Sequence, residues 1–440
     1  MEAEEMVGRC RQYTLYSWSA QRNLNPLPVE SARGPWFHTA DGRDYLDFNS
    51  QVMSVNIGHG HPRVIEAMKR QLDTLPFAWP GAATAVRARL GERLAEIVPG
   101  DINTFFFTLS GAEANENAIK LARESTGRRK ILSRYRSYHG ATQGAGQLTG
   151  DPRRWAVEPG ADGFIKVLDP EPYTYSFGAT GTERTEANLR YLDEVIRMEG
   201  PQEIAAMFIE TVTGTNGVLI PPEGYLRGLR DLLDRHGILL VCDEVMAGFG
   251  RTGRLFAFEH AGIVPDIVTM AKGLTSSYAP LGAVGMRQKV ADHFEDRIFW
   301  GGLTHNAHPL CLAAAEAAIQ VLLDEGMVDN AAKLEAVARE EMDRLQANHP
   351  SVAAGRVIGL LGMVDLQRDP SGTPFSPYGD KSSPVMKAFK KRLLEEGLYT
   401  YVRWSNFMIC PPLCIDEETL RDGFARIGRA LDVVDAAFEA

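Results

Sequence analysis

Residues 206–244 read AMFIETVTGTNGVLIPPEGYLRGLRDLLDRHGILLVCDE, which is two short apolar runs separated by a longer segment with helical spacing. The runs, at 206–209 and 238–241, lack polar alternation, which is typical of strands buried on both faces of a mainly parallel sheet. Between them, residues 225–236 repeat apolar side chains at the helical period, and Gly237 is placed to end that helix. The segment therefore predicts a β-α-β unit and, with it, an α/β fold.

Apolar runs of the same kind recur on both sides of this unit. We predict strands at 105–107, 130–132, 267–270 and 281–284, and helices at about 112–123 and 307–323. Beyond about Asp329 the sequence changes to charged amphipathic helices, interrupted by a loop rich in Pro, Gly and Ser at 369–382. We therefore place an N-terminal arm with part of a small domain at 1–60, a large domain at 61–329 and a C-terminal small domain at 330–440.

The composition argues against several classes of protein. The chain has 440 residues, 44% of them hydrophobic and 24% charged, as in ordinary globular enzymes. A net charge of -10 argues against a nucleic-acid partner, since phosphate binding needs clustered Lys and Arg. No apolar run approaches the ~20 residues of a membrane helix, and the acidic opening MEAEE differs from a basic signal peptide. The five cysteines are odd in number and lack CxxC spacing, which argues against a disulfide framework and against a zinc site. Together these features predict a cytoplasmic protein with no metal and no membrane partner.

A small turn joins the predicted strand at 105–107 to the helix that follows it. Ser110, Gly111 and Ala112 occupy this turn. Backbone N–H groups at a helix N-terminus attract anions, so the turn is a candidate phosphate site. Its spacing matches neither GxGxxG nor a Walker A loop, which disfavours NAD and ATP as ligands.

Two charged residues follow predicted strands of the sheet. Asp243 comes just after the run at 238–241, and Lys272 just after the run at 267–270. The carboxyl ends of parallel strands form the ligand-binding edge of a sheet, and a partly desolvated lysine becomes a nucleophile. With the anion-binding turn, they match the ring nitrogen, aldehyde and phosphate of pyridoxal phosphate. The alternative is a structural one, in which Lys272 only pairs with Asp243 or Glu244.

A set of ordered motifs carries a family resemblance. The motifs are DGRDYLDF (41–48), GHGHP (58–62), SGAEANE (110–116), YHG (138–140), PPEGYL (221–226), DEV (243–245), GFGRTG (248–253), AKGL (271–274), Thr304, HP (308–309) and PPL (411–413). From about residue 13 to 432 the chain resembles the class III pyridoxal-phosphate aminotransferases of fold type I. The resemblance implies a large domain with a mainly parallel seven-stranded sheet, plus a smaller α+β domain built from the N- and C-terminal segments.

The resemblance assigns roles to the strand-end residues and the turn. Lys272 resembles the lysine that forms a Schiff base with the cofactor and then moves a proton. Asp243 resembles the acid that pairs with the pyridinium nitrogen and keeps the ring an electron sink. Gly111 and Ala112 are expected to donate backbone N–H groups to the phosphate, with Ser110 beside them.

Further cofactor contacts follow from the same resemblance. Tyr138 resembles the aromatic residue that stacks on one ring face, with His139 next to it, and Val245 is expected to pack on the other face. Glu210 opens an ETVTG segment similar to the family's Glu-Pro-Val-x-Gly and is expected near the cofactor. Thr304 matches the residue that reaches the phosphate bound by the neighbouring subunit. Active sites at the interface of a homodimer are therefore expected, and pairing of dimers into tetramers is left open.

The substrate contacts are less tightly specified by motif. Arg403 lies near the family's carboxylate-binding arginine, whose planar guanidinium holds a keto acid; the alternative is a surface arginine on a strand. Met53 stands where many amine transaminases carry a tryptophan, which argues against bulky arylamines. Phe77, Trp79 and Trp18 are candidate pocket residues, although aromatic side chains at such positions also serve as core.

The sequences at 23–26 (NLNP) and 106–116 (FFTLSGAEANE) are most similar to those of the taurine:pyruvate and ω-amino-acid:pyruvate aminotransferase subgroup. We therefore predict ping-pong transamination from a primary amine or ω-amino acid to pyruvate, giving an aldehyde or ketone and L-alanine. The alternatives are a glutamate-1-semialdehyde-type aminomutase, a decarboxylating transaminase and a class III aminotransferase that uses 2-oxoglutarate. Two alternatives lie outside this chemistry. The first is a regulatory or structural protein that binds pyridoxal phosphate without turnover, and it is disfavoured because the sequence carries no added DNA-binding segment. A metal-dependent hydrolase built on Asp243 and Glu244 lacks a helical His pair beside them.

Overall fold

The computed structural model describes residues 1–440 and contains fifteen strands and thirteen α-helices. The strands are β1 (Val29–Arg33), β2 (Trp36–Thr39), β3 (Asp44–Asp47), β4 (Ile102–Thr108), β5 (Lys130–Arg134), β6 (Phe164–Val167), β7 (Ile204–Glu210), β8 (Leu239–Asp243), β9 (Ile267–Met270), β10 (Gly282–Arg287), β11 (Val352–Ile358), β12 (Leu361–Leu366), β13 (Leu398–Tyr399), β14 (Val402–Arg403) and β15 (Asn406–Ile409). The helices are α1 (Ala3–Tyr13), α2 (Ser50–Met53), α3 (Pro62–Thr74), α4 (Ala85–Ile97), α5 (Gly111–Thr126), α6 (Gln143–Leu148), α7 (Gly181–Glu199), α8 (Tyr225–Arg235), α9 (Gln288–Ala291), α10 (Pro309–Asp324), α11 (Met327–Asn348), α12 (Pro384–Glu395) and α13 (Glu417–Asp435).

A seven-stranded sheet forms the centre of the fold, with strand order β4-β10-β9-β8-β7-β5-β6. All neighbouring strands are parallel except at β10, which is antiparallel to both β4 and β9. Every residue of β7, β8 and β9 is buried, which explains why these runs carry no polar alternation. The predicted fold type I architecture is confirmed.

The predicted β-α-β unit is β7, α8 and β8. Strands β7 and β8 pair in parallel, with Ala206 opposite Leu239 and Glu210 opposite Asp243. Helix α8 buries one face, and Gly237 just beyond its end has a φ of 61°, which a residue without a Cβ adopts at little cost. This unit therefore follows the sequence pattern closely.

Two features of the central sheet were not predicted. The edge strand β6 is only partly buried and short, so it carries no continuous apolar run. The direction of β10 is also invisible in its sequence, because a strand buried on both faces reads the same in either direction. The other differences are shifts of a few residues at the ends of helices and strands.

The N- and C-terminal segments combine outside the central sheet. Strands β1, β2, β3 and β13 form one four-stranded sheet, in which β13 runs parallel to β3, and β11, β12, β15 and β14 form another. Position 329 lies in the first turn of α11, which begins at Met327, so the change in sequence texture falls inside a helix. The division into domains at 60 and 329 stays a prediction.

Arg251 has the largest side chain among the residues that are fully buried. Its guanidinium donates to Ser50 Oγ (3.0 Å) and Asn56 Oδ1 (3.2 Å) near the N-terminus, and to the carbonyl oxygens of Leu360 and Pro411 in the C-terminal part. One side chain thus joins three parts of the chain.

All five cysteines are free thiols. No helix combines the length and apolar character needed to cross a membrane.

Candidate active site

Neighbouring strands bring Asp243 and Lys272 to one cavity. Asp243 is the last residue of β8 and lies opposite Thr269 of β9, and Lys272 follows the end of β9 by two residues. Because the two strands are parallel, both side chains reach the same edge of the sheet. They line a cavity of about 350 Å³.

The carboxylate of Asp243 is held by three donors. Its Oδ2 accepts a hydrogen bond from Asn115 Nδ2 (2.8 Å) and lies 2.8 Å from His139 Nδ1, and its Oδ1 accepts from the backbone N–H of Val245 (3.0 Å). Asn115 is itself oriented by the hydroxyl of Thr269, which donates to its Oδ1 (2.9 Å). All of these side chains are buried apart from Val245. These three contacts within the chain fix the orientation of the carboxylate.

Lys272 combines strained backbone with a desolvated amine. Its φ is 47°, in the left-handed region that non-glycine residues seldom adopt, and such strain is often found at functional positions. Burial lowers the pKa of Lys272, although the charges of Glu210 and Asp243 act in the opposite direction. A larger neutral fraction at ordinary pH makes this amine a better nucleophile and base.

The N-terminus of α5 forms an anion cradle at the cavity. The backbone N–H groups of Gly111 and Ala112 make no hydrogen bond within the chain, while the hydroxyl of Ser110 caps the helix. A Cβ on Gly111 would lie 2.8 Å from both methyl groups of Val245, and one on Gly140 would lie 2.6 Å from the Cβ of Ala112. Neither Gly111 nor Gly140 has room for a Cβ at this turn. With glycine at both positions, the two free N–H groups stay accessible to an anion of the size of a phosphate.

Glu210 and Tyr138 stand together on another wall of the cavity. Glu210 accepts hydrogen bonds from the backbone N–H groups of Tyr138 and Gly214, both at 2.8 Å. Burial raises the pKa of Glu210, against the charge of His139. The ring of Tyr138 lines the cavity and meets Trp18 edge-on, with centroids 6.1 Å apart.

The structure brings most of the predicted site residues together, but not all of them. The ones that line the cavity are Lys272, Asp243, Gly111, Ala112, Tyr138, His139, Glu210, Val245, Met53 and Trp18. Ser110 lies at the cradle without lining the cavity. Thr304, Phe77 and Trp79 are exposed outside it, the last two by 45% and 69%. Arg403 also lies outside the lining, where its Nη1 is 3.2 Å from Asp151 Oδ2.

Several residues at the site were not predicted. Arg153, Thr215 and Tyr401 line the cavity, and Asn115 holds Asp243. Asn115 lies inside the SGAEANE motif, one helical turn after the cradle, so its position on α5 was an available signal. Arg153 lies in a short 3₁₀ helix (Pro152–Ala156), in which nothing in the local sequence separates it from Arg154.

Comparison with known proteins agrees with this site. The family model described as aminotransferase class-III matches residues 18–431. The structure of the taurine:2-oxoglutarate aminotransferase from Bifidobacterium kashiwanohense, in complex with PLP and glutamate, is 37% identical, with a TM-score of 0.95 over 99% of both chains. A thermostable (S)-enantioselective omega-transaminase from Thermomicrobium roseum is 35% identical, with a TM-score of 0.94 over 99% of both chains.

A relative with a different acceptor is also similar. The taurine–pyruvate aminotransferase of Bilophila wadsworthia is 30% identical over 99% of this chain and 98% of its own. The anion cradle, the oriented acid and the desolvated lysine match the phosphate, ring nitrogen and aldehyde of pyridoxal phosphate, so the residues present fit that cofactor. The chain therefore belongs to the class III aminotransferases, the pyridoxal-phosphate-dependent enzymes of fold type I that its motifs indicated.

Proposed function

We propose that the protein transfers the amino group of a primary amine or ω-amino acid to pyruvate, in two half-reactions at one site. One observation carries the proposal: Lys272 and Asp243 line the same cavity as the free N–H groups that begin α5. In the first half-reaction the donor gives up its amino group and leaves as an aldehyde or ketone. In the second, pyruvate takes up the amino group and leaves as L-alanine.

The chemistry divides between cofactor and chain. Pyridoxal phosphate, when bound, supplies an aldehyde that takes up the amino group and a ring that withdraws electrons from the donor carbon. The Nζ of Lys272, with its lowered pKa, removes the proton from the donor carbon and returns it in the reverse sense for the acceptor. The Asp243 carboxylate would accept a hydrogen bond from the ring nitrogen and so keep that nitrogen protonated. Because Asn115, His139 and Val245 already orient the carboxylate, that pairing would require little reorganisation free energy.

Other lining residues position the cofactor. Gly111 and Ala112 would bind the phosphate through their free N–H groups, and the dipole of α5 would strengthen that binding. Tyr138 and Val245, which both line the cavity, would pack against the ring and exclude water from it. Glu210 lies at the same wall, where the backbone N–H groups of Tyr138 and Gly214 fix the position of its carboxyl group.

2-Oxoglutarate is the second candidate for the acceptor. The observation that favours it is the 37% identity to an aminotransferase that takes this keto acid and was solved with glutamate bound. A second carboxylate on the acceptor needs a second cationic partner, and Arg403, which pairs with Asp151, is the only arginine among the predicted site residues. Pyruvate needs only one such partner.

We also propose that the enzyme is a homodimer whose interface completes each site. Thr304, Phe77 and Trp79 were expected at the active site, yet all three side chains are exposed on the single chain. Ile298 and Trp300, close to Thr304 in sequence, are 67% and 71% exposed. Large apolar side chains exposed together are typical of surfaces that bind protein. Contact with a second copy would cover them and bring Thr304 to the phosphate bound by the partner.

The test is a pair of half-reactions on the purified holoenzyme. Taurine, β-alanine, a small arylalkylamine and L-alanine are added separately without keto acid, and the visible absorbance of the bound cofactor is followed. We expect L-alanine and at least one ω-donor to bleach it, and pyruvate to restore it. Restoration by 2-oxoglutarate but not by pyruvate would select the second candidate. If no amine bleaches the cofactor, the proposed function is wrong. An aminomutase would convert its substrate without any keto acid, which product analysis detects.

A further inference from the structure

A second cavity, of about 720 Å³, shares no lining residue with the active site. Its wall comes from the segment that follows β5, from residues 171–174, and from strands β11, β12 and β15 of the C-terminal sheet. Clefts of this size that combine aromatic side chains with a few polar groups are typical of small-molecule sites. The lining side chains used below are Arg136, Arg356, Ala353, Tyr173, Tyr378 and Trp404.

Arg136 brings a guanidinium without a carboxylate partner to this second cavity. Its Nη1 donates to the carbonyl oxygen of Glu171 (3.4 Å) and its Nη2 to that of Asn216 (2.7 Å), while its Nε is buried without a partner. A guanidinium has five N–H donors, so most of those of Arg136 are unused. Asp169 accepts a hydrogen bond from the backbone N–H of Arg136, but its ion pair is with Arg134.

Arg356 approaches the same point from strand β11. A Cβ on Gly217 would lie 2.7 Å from Nη2 of Arg136 and 3.3 Å from Nη2 of Arg356, so glycine at this position lets both guanidinium groups converge. Burial lowers the pKa of Arg136, and the like charge of Arg356 acts in the same direction. A bound anion would offset both the lost hydration and the repulsion.

Neither acid of the wall is free to pair with Arg136. Asp365 is bound by Arg356, whose Nη1 lies 2.5 Å from its carboxylate, and Glu171 forms an ion pair with Arg184 at 2.8 Å. These two pairs are neutral overall. The charge of Arg136 is therefore left over, and it marks the place of an acid group that the chain does not supply.

Three aromatic rings continue the wall beside this charge. The ring centroids of Tyr173 and Tyr378 are 5.2 Å apart, and those of Tyr378 and Trp404 are 4.2 Å apart. The guanidinium carbon of Arg136 lies 5.9 Å from the centre of the Tyr378 ring, so the cation and the rings are neighbours. Tyr173 is also 49% exposed, which leaves ring surface for a flat ligand to stack on.

Trp404 occupies a turn position that favours glycine. Arg403 pairs with Asn406, so Trp404 and Ser405 form a two-residue hairpin turn between β14 and β15. Trp404 has a φ of 51°, and the first position of such a turn is usually glycine or asparagine. A bulky side chain is therefore kept at the cavity wall against the conformational preference of the turn, as is common at ligand sites.

We propose that the second cavity binds an organic acid that carries an aromatic ring, with its acid group on Arg136 and its ring against Tyr173 and Tyr378. This inference goes beyond the proposed function. The wall has none of the residues that carry the amino transfer, so the ligand is bound there without being converted. An anion without a ring, or a ring without an acid, satisfies only half of this wall.

The test is calorimetric binding to the holoenzyme, with phenyl phosphate and benzoate as probes. Inorganic phosphate lacks the ring and benzyl alcohol lacks the charge, and each should bind at least about 10-fold more weakly than the aryl acids. A preference between phenyl phosphate and benzoate would identify the acid group. If neither aryl acid binds, or if inorganic phosphate or benzyl alcohol binds equally well, the proposal is wrong.

Two substitutions locate the binding. Arg136→Met removes the unpaired charge and should weaken both aryl acids by at least about 10-fold. Ala353→Phe keeps Arg136 but fills part of the cavity, and it should weaken them by at least as much, so the test does not depend on the folding of the arginine variant. The matched control is Ala354→Phe, because Ala354 is the next residue on β11, is exposed and does not line the cavity. Its affinity for both probes should stay within about 2-fold of wild type.

The half-reaction with L-alanine separates this site from the active site. Ala353→Phe should bleach the cofactor at a rate within about 2-fold of wild type while it loses the aryl acids. Aryl-acid binding that survives Ala353→Phe and is displaced by L-alanine would place the probes in the active site and overturn the proposal. If no amine reacts with the wild type, the proposed function fails, whereas the calorimetric comparison still decides whether the second cavity binds aryl acids.

Discussion

Replacing Asn115 tests whether catalysis depends on the orientation of the Asp243 carboxylate, because the substitution keeps Asp243 but removes one of the groups that orient it. Asn115→Ala removes three buried hydrogen bonds, to Asp243 Oδ2 (2.8 Å), to the carbonyl oxygen of His139 (2.7 Å) and from the hydroxyl of Thr269 (2.9 Å). A neutral hydrogen bond contributes about 1 kcal/mol net, and one to a charged group about 1.5–3 kcal/mol. We therefore expect the free energy of unfolding to fall by about 3–5 kcal/mol.

The same substitution should also slow the chemistry. Asp243 keeps the donors His139 and Val245 but loses one of its three restraints, and a loss of about 1.4 kcal/mol in its pairing with the cofactor corresponds to about 10-fold in rate. The assays are urea unfolding of the holoenzyme and the half-reaction with L-alanine. Thr269→Val is the matched control: it removes only the bond to Asn115 Oδ1 and should cost about 1 kcal/mol, with a rate within about 2-fold of wild type.

Two results would refute this reasoning. If Asn115→Ala unfolds within about 0.5 kcal/mol of the wild type, the three bonds contribute nothing net in this site. If its half-reaction is no slower than that of Thr269→Val, Asp243 does not depend on Asn115 for its orientation.

The remaining predictions concern the cradle, the lysine and a buried acid. Gly140→Ala should weaken cofactor binding at least about 10-fold in equilibrium titrations, because its Cβ would lie 2.6 Å from that of Ala112 and its φ is 138°; unaltered affinity would contradict the tight cradle. Lys272→Ala should fold with a melting temperature near that of the wild type, lose the half-reaction, and release the cofactor on dialysis. Burial raises the pKa of Glu244 from 4.5 to about 7, so the folded protein holds this proton more tightly than the unfolded chain. The free energy of unfolding of the wild type, measured by urea titration relative to Glu244→Gln, should therefore be highest below pH 4.5 and fall by about 3 kcal/mol as the pH rises to 7. A difference between the two proteins that does not change with pH would contradict this prediction.

Local patterns were sufficient for much of the architecture. The β-α-β unit was predictable because burial on both faces makes a strand continuously apolar, and because Gly237 ends α8. The edge strand β6 was missed, since partial burial leaves no such run. The direction of β10 depends on its connections and on its partners β4 and β9, which no local pattern records.

The candidate site shows the same division. Asp243 and Lys272 were identified because a charged residue straight after a buried strand has few structural reasons to be there. The motifs then indicated the family, which the structure and the comparisons confirm. Arg153 was missed because it reaches the cavity from a short 3₁₀ helix with no distinctive sequence pattern, and Arg154, the next residue, pairs with Glu158 instead. Thr304, Phe77 and Trp79 stay predictions that a second copy of the chain must test.

By itself, the sequence determined six of the seven central strands, the aminotransferase family and the identity of the strand-end acid and lysine, because each depends on periodicity, turn residues or contiguous motifs. Only the tertiary structure decided which guanidinium faces the cavity. Arg153 and Arg403 are 250 residues apart in the chain, yet both pair with one buried carboxylate, that of Asp151. Which of the two lines the cavity depends on the side from which each arginine approaches Asp151, and that geometry exists only once the short helix at 152–156 and strand β14 have packed together.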